Sequence, residues 1–141
     1  MINKTLGILG GGQLGRMSAL AAANLGIDVH IFTPEENSPA SKVSAKTIVA
    51  PYDDKKALQL FAEGVDFISY EFENIPVDTV KFLKQFKPVY PDEKLLEVSQ
   101  DRLKEKAFLN KIGIETARWE KYQDSNSIRK AFSTWKTKSI I

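Results

Sequence analysis

A glycine-rich turn close to the N-terminus carries the residues with the clearest chemical potential. The apolar run Thr5–Leu9 leads into three consecutive glycines, and a helix pattern begins near Gln13. The glycines at positions 10, 12 and 15 have the G-x-G-x-x-G spacing, which provides a tight turn, a close backbone approach to a ligand and close packing of helix on strand. Backbone N–H groups and the positive end of the helix dipole at such a turn attract an anion such as phosphate. The predicted phosphate-facing loop consists of Gly10, Gly11, Gly12 and Gly15.

The glycine spacing alone is a weak indication of a dinucleotide site, so a second feature has to be present. A dinucleotide-binding domain places an acid at the end of the second strand, where it holds the ribose hydroxyls. The second strand here ends in Phe32-Thr33-Pro34, and the nearest acids, Glu35 and Glu36, follow the proline. Binding of a nicotinamide or flavin dinucleotide is therefore disfavoured.

A second group of polar side chains, Tyr70–Asn74, follows the fourth predicted strand. Glu71 and Glu73 stand at alternate positions, so in an extended chain both project from one side, at the carboxyl end of a parallel strand where open α/β sheets bind ligands. Either carboxylate could accept hydrogen bonds from ribose hydroxyls or an amino group, and the strand register decides which one faces the ligand. The alternative is a charged loop that caps the next helix, with Asn74 directly before Ile75-Pro76.

A third candidate is Arg102, in the polar run 100–106. Ser99 or Asp101 can cap the N-terminus of a helix there, and an arginine in its first turn would suit a phosphate group. The alternative is an ordinary exposed helix, which the composition of this run favours.

The composition restricts the class of protein and of site. The chain has 141 residues, 43% of them hydrophobic, and its 20 basic and 18 acidic residues leave a net charge of +2 without a long basic run, so nucleic-acid binding has little support. The absence of cysteine excludes disulfides, zinc fingers and a thiol nucleophile, and the single histidine, His30, lies in an apolar run that favours a strand position over catalysis or metal binding. No segment approaches the ~20 apolar residues of a membrane span. We expect a soluble cytoplasmic protein that binds neither membrane nor nucleic acid.

Strand-like and helix-like patterns alternate through most of the chain. Five short predicted strands separated by helices of about ten residues indicate an α/β fold, a Rossmann-like parallel sheet with helices on both faces. The predicted strands are 5–9, 28–32, 47–50, 65–70 and 87–90. The predicted helices include one over about 13–25, ended by Gly26, one capped by Asp53 or Asp54 that runs through Ala62, and one whose first helical residue is Pro76. The first helix is expected to bury the stripe Leu14, Met17, Ala21 and Leu25.

After Pro91 the pattern changes to helix over 92–100 and 101–112. A strand candidate at 117–122 and a helix candidate at 125–135 follow. The final apolar run Ser139–Ile141 predicts a further strand without a partner or cap, so we expect a chain that is cut within a second domain. The predicted domains are residues 1–98, a complete α/β unit, and residues 99–141, the truncated start of another.

Three segments taken together, in their order and spacing, resemble a known family. They are Gly10-Gly-Gly-Gln-Leu-Gly-Arg-Met17, Tyr70-Glu-Phe-Glu-Asn-Ile-Pro76 and Gln100-Asp-Arg-Leu-Lys-Glu-Lys106, and they closely resemble the N5-carboxyaminoimidazole ribonucleotide synthetases, ATP-grasp enzymes of purine biosynthesis. The resemblance covers nearly all of the chain. It implies that residues 1–98 form the family's pre-ATP-grasp domain, which is Rossmann-like but binds no dinucleotide, and that residues 99–141 begin the ATP-grasp domain.

The resemblance also implies roles for individual residues. Residues that match Gln13, Leu14 and Glu73 contact the ribonucleotide substrate in related enzymes, and Arg102 matches an arginine that contacts ATP. Glu71 and Asn74 are implied only as neighbours of the same substrate pocket. None of these residues is implied to be catalytic, and no metal ligand falls within this chain.

The reaction that the resemblance implies joins bicarbonate to the amino group of 5-aminoimidazole ribonucleotide, with ATP and Mg²⁺ as cofactors. Such catalysis depends on positioning and on neutralisation of phosphate charge rather than on a protein nucleophile. The family's ATP-binding lysine, glycine-rich lid and magnesium carboxylates have no counterpart in these residues, so the chain alone is expected to be inactive. The family also implies a homodimer. Two other functions stay open, another ATP-grasp ribonucleotide ligase and a non-catalytic nucleotide-binding module.

Overall fold

Five parallel strands form a single sheet in the first part of the chain. The computed structural model describes residues 4–135. The strands are β1 Thr5–Leu9, β2 Asp28–Thr33, β3 Lys46–Val49, β4 Phe67–Tyr70 and β5 Val89–Tyr90. Their order is β3-β2-β1-β4-β5, which places β1 at the centre, and every neighbouring pair is parallel. The five strands predicted from the sequence are confirmed, with ends displaced by at most two residues.

The described residues also form six α-helices and one short 3₁₀ helix. They are α1 Gln13–Asn24, the 3₁₀ helix Ala40–Lys42, α2 Lys55–Glu63, α3 Val77–Leu83, α4 Glu93–Ser99, α5 Arg102–Lys111 and α6 Ser125–Trp135. A predicted helix cap and a predicted helix-ending glycine are both present in the structure. The Asp54 side chain caps α2 by accepting the N–H groups of Lys56 and Ala57, each at 3.0 Å. Gly26 follows α1 with φ +72°, the left-handed conformation that glycine adopts most easily.

Apolar side chains cover both faces of the sheet, as expected for a parallel sheet. Ile8 and Leu9 are adjacent in β1 and therefore point to opposite faces. Ile8 belongs to the smaller buried cluster, which includes Ala19 and Ala22 of α1. Leu9 belongs to the larger cluster, which α2, α3 and α4 complete with side chains such as Phe61. The predicted fold class, a parallel sheet with helices on both faces, is confirmed.

The buried face of α1 differs from the sequence prediction. Gly15, Ala19 and Ala22 face the sheet. The predicted stripe is exposed, with fractional exposures of 56% for Leu14, 57% for Met17 and 77% for Leu25; Ala21 is exposed as well. The reason is steric, because a Cβ atom at Gly15 would lie 2.8 Å from the carbonyl oxygen of Gly10. The helix is that close to the preceding turn, and only small residues fit between α1 and the sheet.

Two further predictions about elements are wrong. Pro76 is the N-cap of α3 rather than its first helical residue. Residues 117–122 form neither strand nor helix, because a strand requires a partner strand and the apolar alternation alone supplies none. The predicted strand at 139–141 lies outside the described residues.

The chain divides into two compact units, the first ending at Asp101 and the second beginning at Arg102. The first contains the sheet and helices α1 to α4, and the second contains α5 and α6. The domain boundaries drawn from the sequence, 1–98 and 99–141, stay a prediction. Within residues 4–135, no helix combines the length and the apolar character that crossing a membrane requires.

Candidate functional site

The glycine turn between β1 and α1 is held in a conformation that excludes larger residues. Gly10 has φ +117°, and its N–H donates a 2.9 Å hydrogen bond to the carbonyl of Phe32 at the end of β2. A Cβ atom at Gly10 would lie 2.5 Å from Oε1 of Glu71. A Cβ atom at Gly11 would lie 2.5 Å from the hydroxyl of Ser38, which is buried. The turn therefore requires glycine for backbone conformation at Gly10 and for space at both positions.

The carboxylate of Glu71 lies where the sequence predicts an external anion. Its Oε1 accepts the N–H of Gly12 at 2.8 Å, and its Oε2 accepts the N–H of Gly15. Glu71 follows β4, which pairs with β1, so the sheet brings the end of β4 beside the glycine turn. The chain thus supplies its own anion to the start of α1, and this is the main difference between the predicted phosphate-facing loop and the structure.

Two backbone donors at the start of α1 remain available. The first intrahelical bond runs from Arg16 to the carbonyl of Gly12 at 3.1 Å, so the N–H groups that precede it have no partner inside the helix. Glu71 binds two of them, and the N–H groups of Gln13 and Leu14 have no acceptor within residues 4–135. These two donors belong to residues for which the family resemblance implies substrate contact.

An open cleft of about 330 Å³ borders this turn. It lies at the carboxyl ends of β1, β2 and β4, the edge at which open α/β sheets bind ligands. Its lining includes two carboxylates and no lysine or arginine, and the lining residues are Gly11, Gly12, Gln13, Leu14, Thr33, Pro34, Glu35, Tyr52, Glu71 and Phe72. Gln13, Leu14 and Glu71 are thereby brought together as the sequence predicts. Gly10 and Gly15 lie beside the Glu71 carboxylate and do not line the cleft.

Sequence reasoning missed five lining residues, Thr33, Pro34, Glu35, Tyr52 and Phe72. Their positions in the sequence could have identified them, because each ends or follows a strand of the parallel sheet, and ligands bind at the carboxyl ends of such strands. Glu35 follows Pro34 and so does not occupy the ribose-binding position at the end of β2, yet the chain turns there and Glu35 lines the cleft. The N–H of Glu35 donates to the Thr33 hydroxyl at 3.2 Å, which is a local turn of the kind that threonine forms.

Tyr52 forms an aromatic wall of the cleft. Its ring is half-buried and lies 5.9 Å from the ring of Phe32, and its carbonyl accepts the hydroxyl of buried Thr79 at 2.6 Å. Burial, then Glu71 and Glu35, raise the pKa of the Tyr52 phenol to about 12. The phenol is therefore a neutral hydrogen-bonding group at physiological pH.

Glu73 and Asn74 are not brought into the cleft. The strand β4 ends at Tyr70, and the chain then turns through 71–75, so Glu71 and Glu73 do not project from one side of an extended chain as predicted. The side chains of Glu73 and Asn74 are exposed, and Asn74 does not cap α3. The turn is fastened through its backbone, since the side-chain amide of Gln100 donates to the carbonyls of Glu73 and Ile75, each at 2.7 Å.

Arg102 begins α5 in the second compact unit. Its side chain is exposed and forms an ion pair with Glu105 one turn later, which raises the pKa of the guanidinium above its usual value. The arginine is therefore a permanently charged group with one carboxylate neighbour, and that surface pair is weak enough for a phosphate to replace it.

Comparison with known families decides what kind of domain this is. Residues 3–100 match the family described as the ribonucleotide synthetase preATP-grasp domain. The chain belongs to this family. In this preATP-grasp family member, the matched segment contains the whole sheet, the glycine turn and every residue of the cleft.

Longer relatives of this preATP-grasp chain have an assigned activity. It is 46% identical, over 137 residues, to the N5-carboxyaminoimidazole ribonucleotide synthase of Brucella melitensis, covering 97% of this chain and 38% of that protein. A solved Staphylococcus aureus N5-carboxyaminoimidazole synthetase complexed with ADP has a TM-score of 0.85 at 37% identity, covering 93% and 35% of the two chains. The Aspergillus clavatus synthase in complex with ADP and 5-aminoimidazole ribonucleotide has a TM-score of 0.74 at 28% identity, covering 82% and 31%. The chain thus spans between 31% and 38% of the length of these relatives.

Proposed function

We propose that this chain is the N-terminal part of an ATP-dependent carboxylase of purine biosynthesis. The whole protein would convert 5-aminoimidazole ribonucleotide, bicarbonate and ATP to N5-carboxyaminoimidazole ribonucleotide, ADP and phosphate. The observation that carries the proposal is the 46% identity to such a synthase over 137 residues, in a chain whose cleft presents the free N–H groups of Gln13 and Leu14.

The cleft is suited to the uncharged part of a ribonucleotide. The N–H groups of Gln13 and Leu14 are donors for a ribose oxygen or a ring nitrogen, and the carboxylates of Glu35 and Glu71 are acceptors for hydroxyl or amino groups. Aromatic side chains at Tyr52 and Phe72 offer apolar surface to a five-membered ring. We propose that the ribonucleotide binds here and that its phosphate is held by cationic residues elsewhere in the protein.

The remaining site assignments rest on the resemblance. We propose that Glu73 also contacts the ribonucleotide and that Asn74 lies near it; both are exposed on the turn after β4 and are free to meet a ligand. We propose that Arg102 binds ATP, for which its exposed guanidinium is suited.

Magnesium would accompany ATP and neutralise the charge that develops during phosphoryl transfer. Within residues 4–135, no three acidic or histidine side chains are grouped closely enough to hold a metal ion. We therefore propose that the metal is held by the ATP phosphates and by residues outside this segment. A cytoplasmic homodimer is proposed on the family resemblance.

The experiment that tests the function measures ADP release by the full-length protein, with 5-aminoimidazole ribonucleotide and bicarbonate added or withheld. We expect ADP release that depends on the ribonucleotide, and none from the 141 residues alone. Glu35→Ala removes a carboxylate acceptor from the cleft and should raise the KM for the ribonucleotide, and Glu36→Ala, an exposed neighbour outside the cleft lining, should not. A folded full-length protein without ribonucleotide-dependent ADP release would refute the substrate assignment and favour another ATP-grasp ligase or a non-catalytic nucleotide-binding module.

A further inference from the structure

The start of α1 resembles an anion site but already contains an anion. Two of the N–H groups that have no partner inside the helix, those of Gly12 and Gly15, donate to the two carboxylate oxygens of Glu71. A pyrophosphate bound to a G-x-G-x-x-G turn would use the same face of the turn. The Glu71 carboxylate therefore lies where such a ligand would lie.

The balance of charge among the groups that line the cleft is negative, because Arg16 of the first turn of α1 donates to the carbonyl of Pro39 and does not line the cleft. A helix N-terminus contributes about half a positive elementary charge, whereas the Glu71 carboxylate contributes a full negative charge at hydrogen-bond distance. Glu35 adds a second carboxylate to the cleft, and none of the ten lining residues is lysine or arginine. A phosphate here would meet more repulsion than attraction, while a neutral acceptor still finds the N–H groups of Gln13 and Leu14.

We propose that Glu71 is a positioning residue that serves as the internal anion of the glycine turn, so that the turn rejects phosphate and admits only uncharged hydrogen-bond acceptors. The carboxylate fixes Gly12 and Gly15, and thereby holds the two free donors between them toward the cleft. This assigns Glu71 a role in ligand discrimination rather than in direct phosphate or dinucleotide binding. The inference concerns the turn itself and does not depend on the identity of the substrate.

The test is a titration of the ¹⁵N-labelled protein with inorganic phosphate, followed through the amide signals of residues 11–15. In the unchanged protein these signals should not shift saturably. In Glu71→Ala they should shift saturably, with an apparent affinity for phosphate at least about tenfold above the upper limit that the titration sets for the unchanged protein. Mere loss of structure cannot produce such a gain. Glu71→Gln keeps the size of the side chain and removes its charge, so it should gain part of this affinity.

The matched control is Glu36→Ala, which removes one exposed carboxylate from the loop after β2 but lies outside the cleft lining. This variant should behave like the unchanged protein, since a gain there would indicate a general charge effect and overturn the proposal. A folded Glu71→Ala or Glu71→Gln protein without the gain would also overturn it. If neither variant folds, the unchanged protein decides, because saturable phosphate binding at the amides of Gln13 and Leu14 contradicts the proposal and its absence supports it.

Discussion

Glu71 accepts the N–H of Gly12 at 2.8 Å across a separation of 59 residues in sequence. This hydrogen bond joins the ends of two adjacent strands, because Leu9 of β1 is paired with Tyr70 of β4 and each precedes one of the two partners. The bond therefore connects the glycine turn, the start of α1 and the loop after β4 in a single arrangement. The cleft depends on it, since the turn, the start of α1 and the loop together supply six of the ten lining residues.

Removal of this carboxylate should destabilise the first unit. Glu71→Ala leaves the N–H groups of Gly12 and Gly15 without a partner in the protein, and water reaches only part of the site. We expect the free energy of unfolding to fall by about 1–2 kcal/mol, the usual cost of a lost helix cap. Glu73→Ala removes an exposed carboxylate two residues later and should change it by less than about 0.5 kcal/mol. Urea denaturation measures both, and equal losses would contradict the role of Glu71.

The cap of α2 offers a second matched pair of substitutions. Asp54 accepts two backbone N–H groups at the start of the helix, whereas its neighbour Asp53 is exposed and makes no such bond in the described residues. Asp54→Ala should lower the free energy of unfolding by about 1 kcal/mol, and Asp53→Ala should have little effect. Thermal denaturation of the two variants side by side provides the comparison, and a larger loss in Asp53→Ala would refute the assignment.

A double-mutant cycle can test the packing of β1 on α2. A Cβ atom at Gly7 would lie 2.7 Å from Cζ of Phe61, whose ring is fully buried. Gly7→Ala should therefore cost about 1–3 kcal/mol of stability through overpacking. The same substitution in a Phe61→Leu background should cost less, because the shorter side chain leaves room for the methyl group. Additive losses in the double variant would show that the two positions do not interact.

The phenol of Tyr52 should ionise about two pH units later than an ordinary tyrosine, since its pKa is raised from 10.0 to about 12 by burial, Glu71 and Glu35. Above pH 10 the unfolded chain loses this proton while the folded chain keeps it, so stability should fall as the pH rises from 10 to 12. The Cζ chemical shift of Tyr52 in ¹³C NMR reports the ionisation. Glu71→Gln should lower this pKa by removing one carboxylate, and an unchanged value would exclude the electrostatic contribution.

His30 should make the free energy of unfolding depend on pH in the acidic range, below pH 6.5. Burial and the neighbouring Lys46 lower its pKa below 6.5, although Asp28 opposes them. As the pH falls below 6.5 the unfolded chain binds the proton first, so the fold loses stability until the pH reaches the lowered pKa. His30→Gln should flatten this part of the stability curve, which urea denaturation at several pH values records. An unchanged slope would show that other groups cause it.

The sequence predicts the order of elements well because local signals agree with the overall pattern. The strand Thr5–Leu9, the helix Ser125–Trp135 and the cap at Asp54 lie where propensity and turn residues place them. The buried face of α1 could not be predicted from hydrophobicity, because the close approach of its backbone to the glycine turn selects Gly15 and Ala19 over the larger Leu14. The periodicity of hydrophobic residues along a helix does not indicate how closely its backbone approaches a neighbouring turn.

The candidate site likewise contains some residues that a sequence motif places and others that only the folded chain brings together. The family resemblance implies roles for Gln13 and Leu14, and both line the cleft, because a motif fixes residues that are adjacent in sequence. The bond between Glu71 and the turn could not be predicted, since it depends on where β4 ends and on the bend that follows. Glu35 and Tyr52 reach the cleft through loop conformations that composition does not encode.

The two hydrogen bonds from the side-chain amide of Gln100 have a mechanical consequence. They fasten the last residues of the first unit to the carbonyls of Glu73 and Ile75. A pulling force applied to the chain beyond Asp101 would therefore load the turn that carries Glu73 before it reaches the strand pairs of the sheet. Gln100→Ala would shift that load to α4, and single-molecule extension of the two proteins would register the difference as a lower first rupture force.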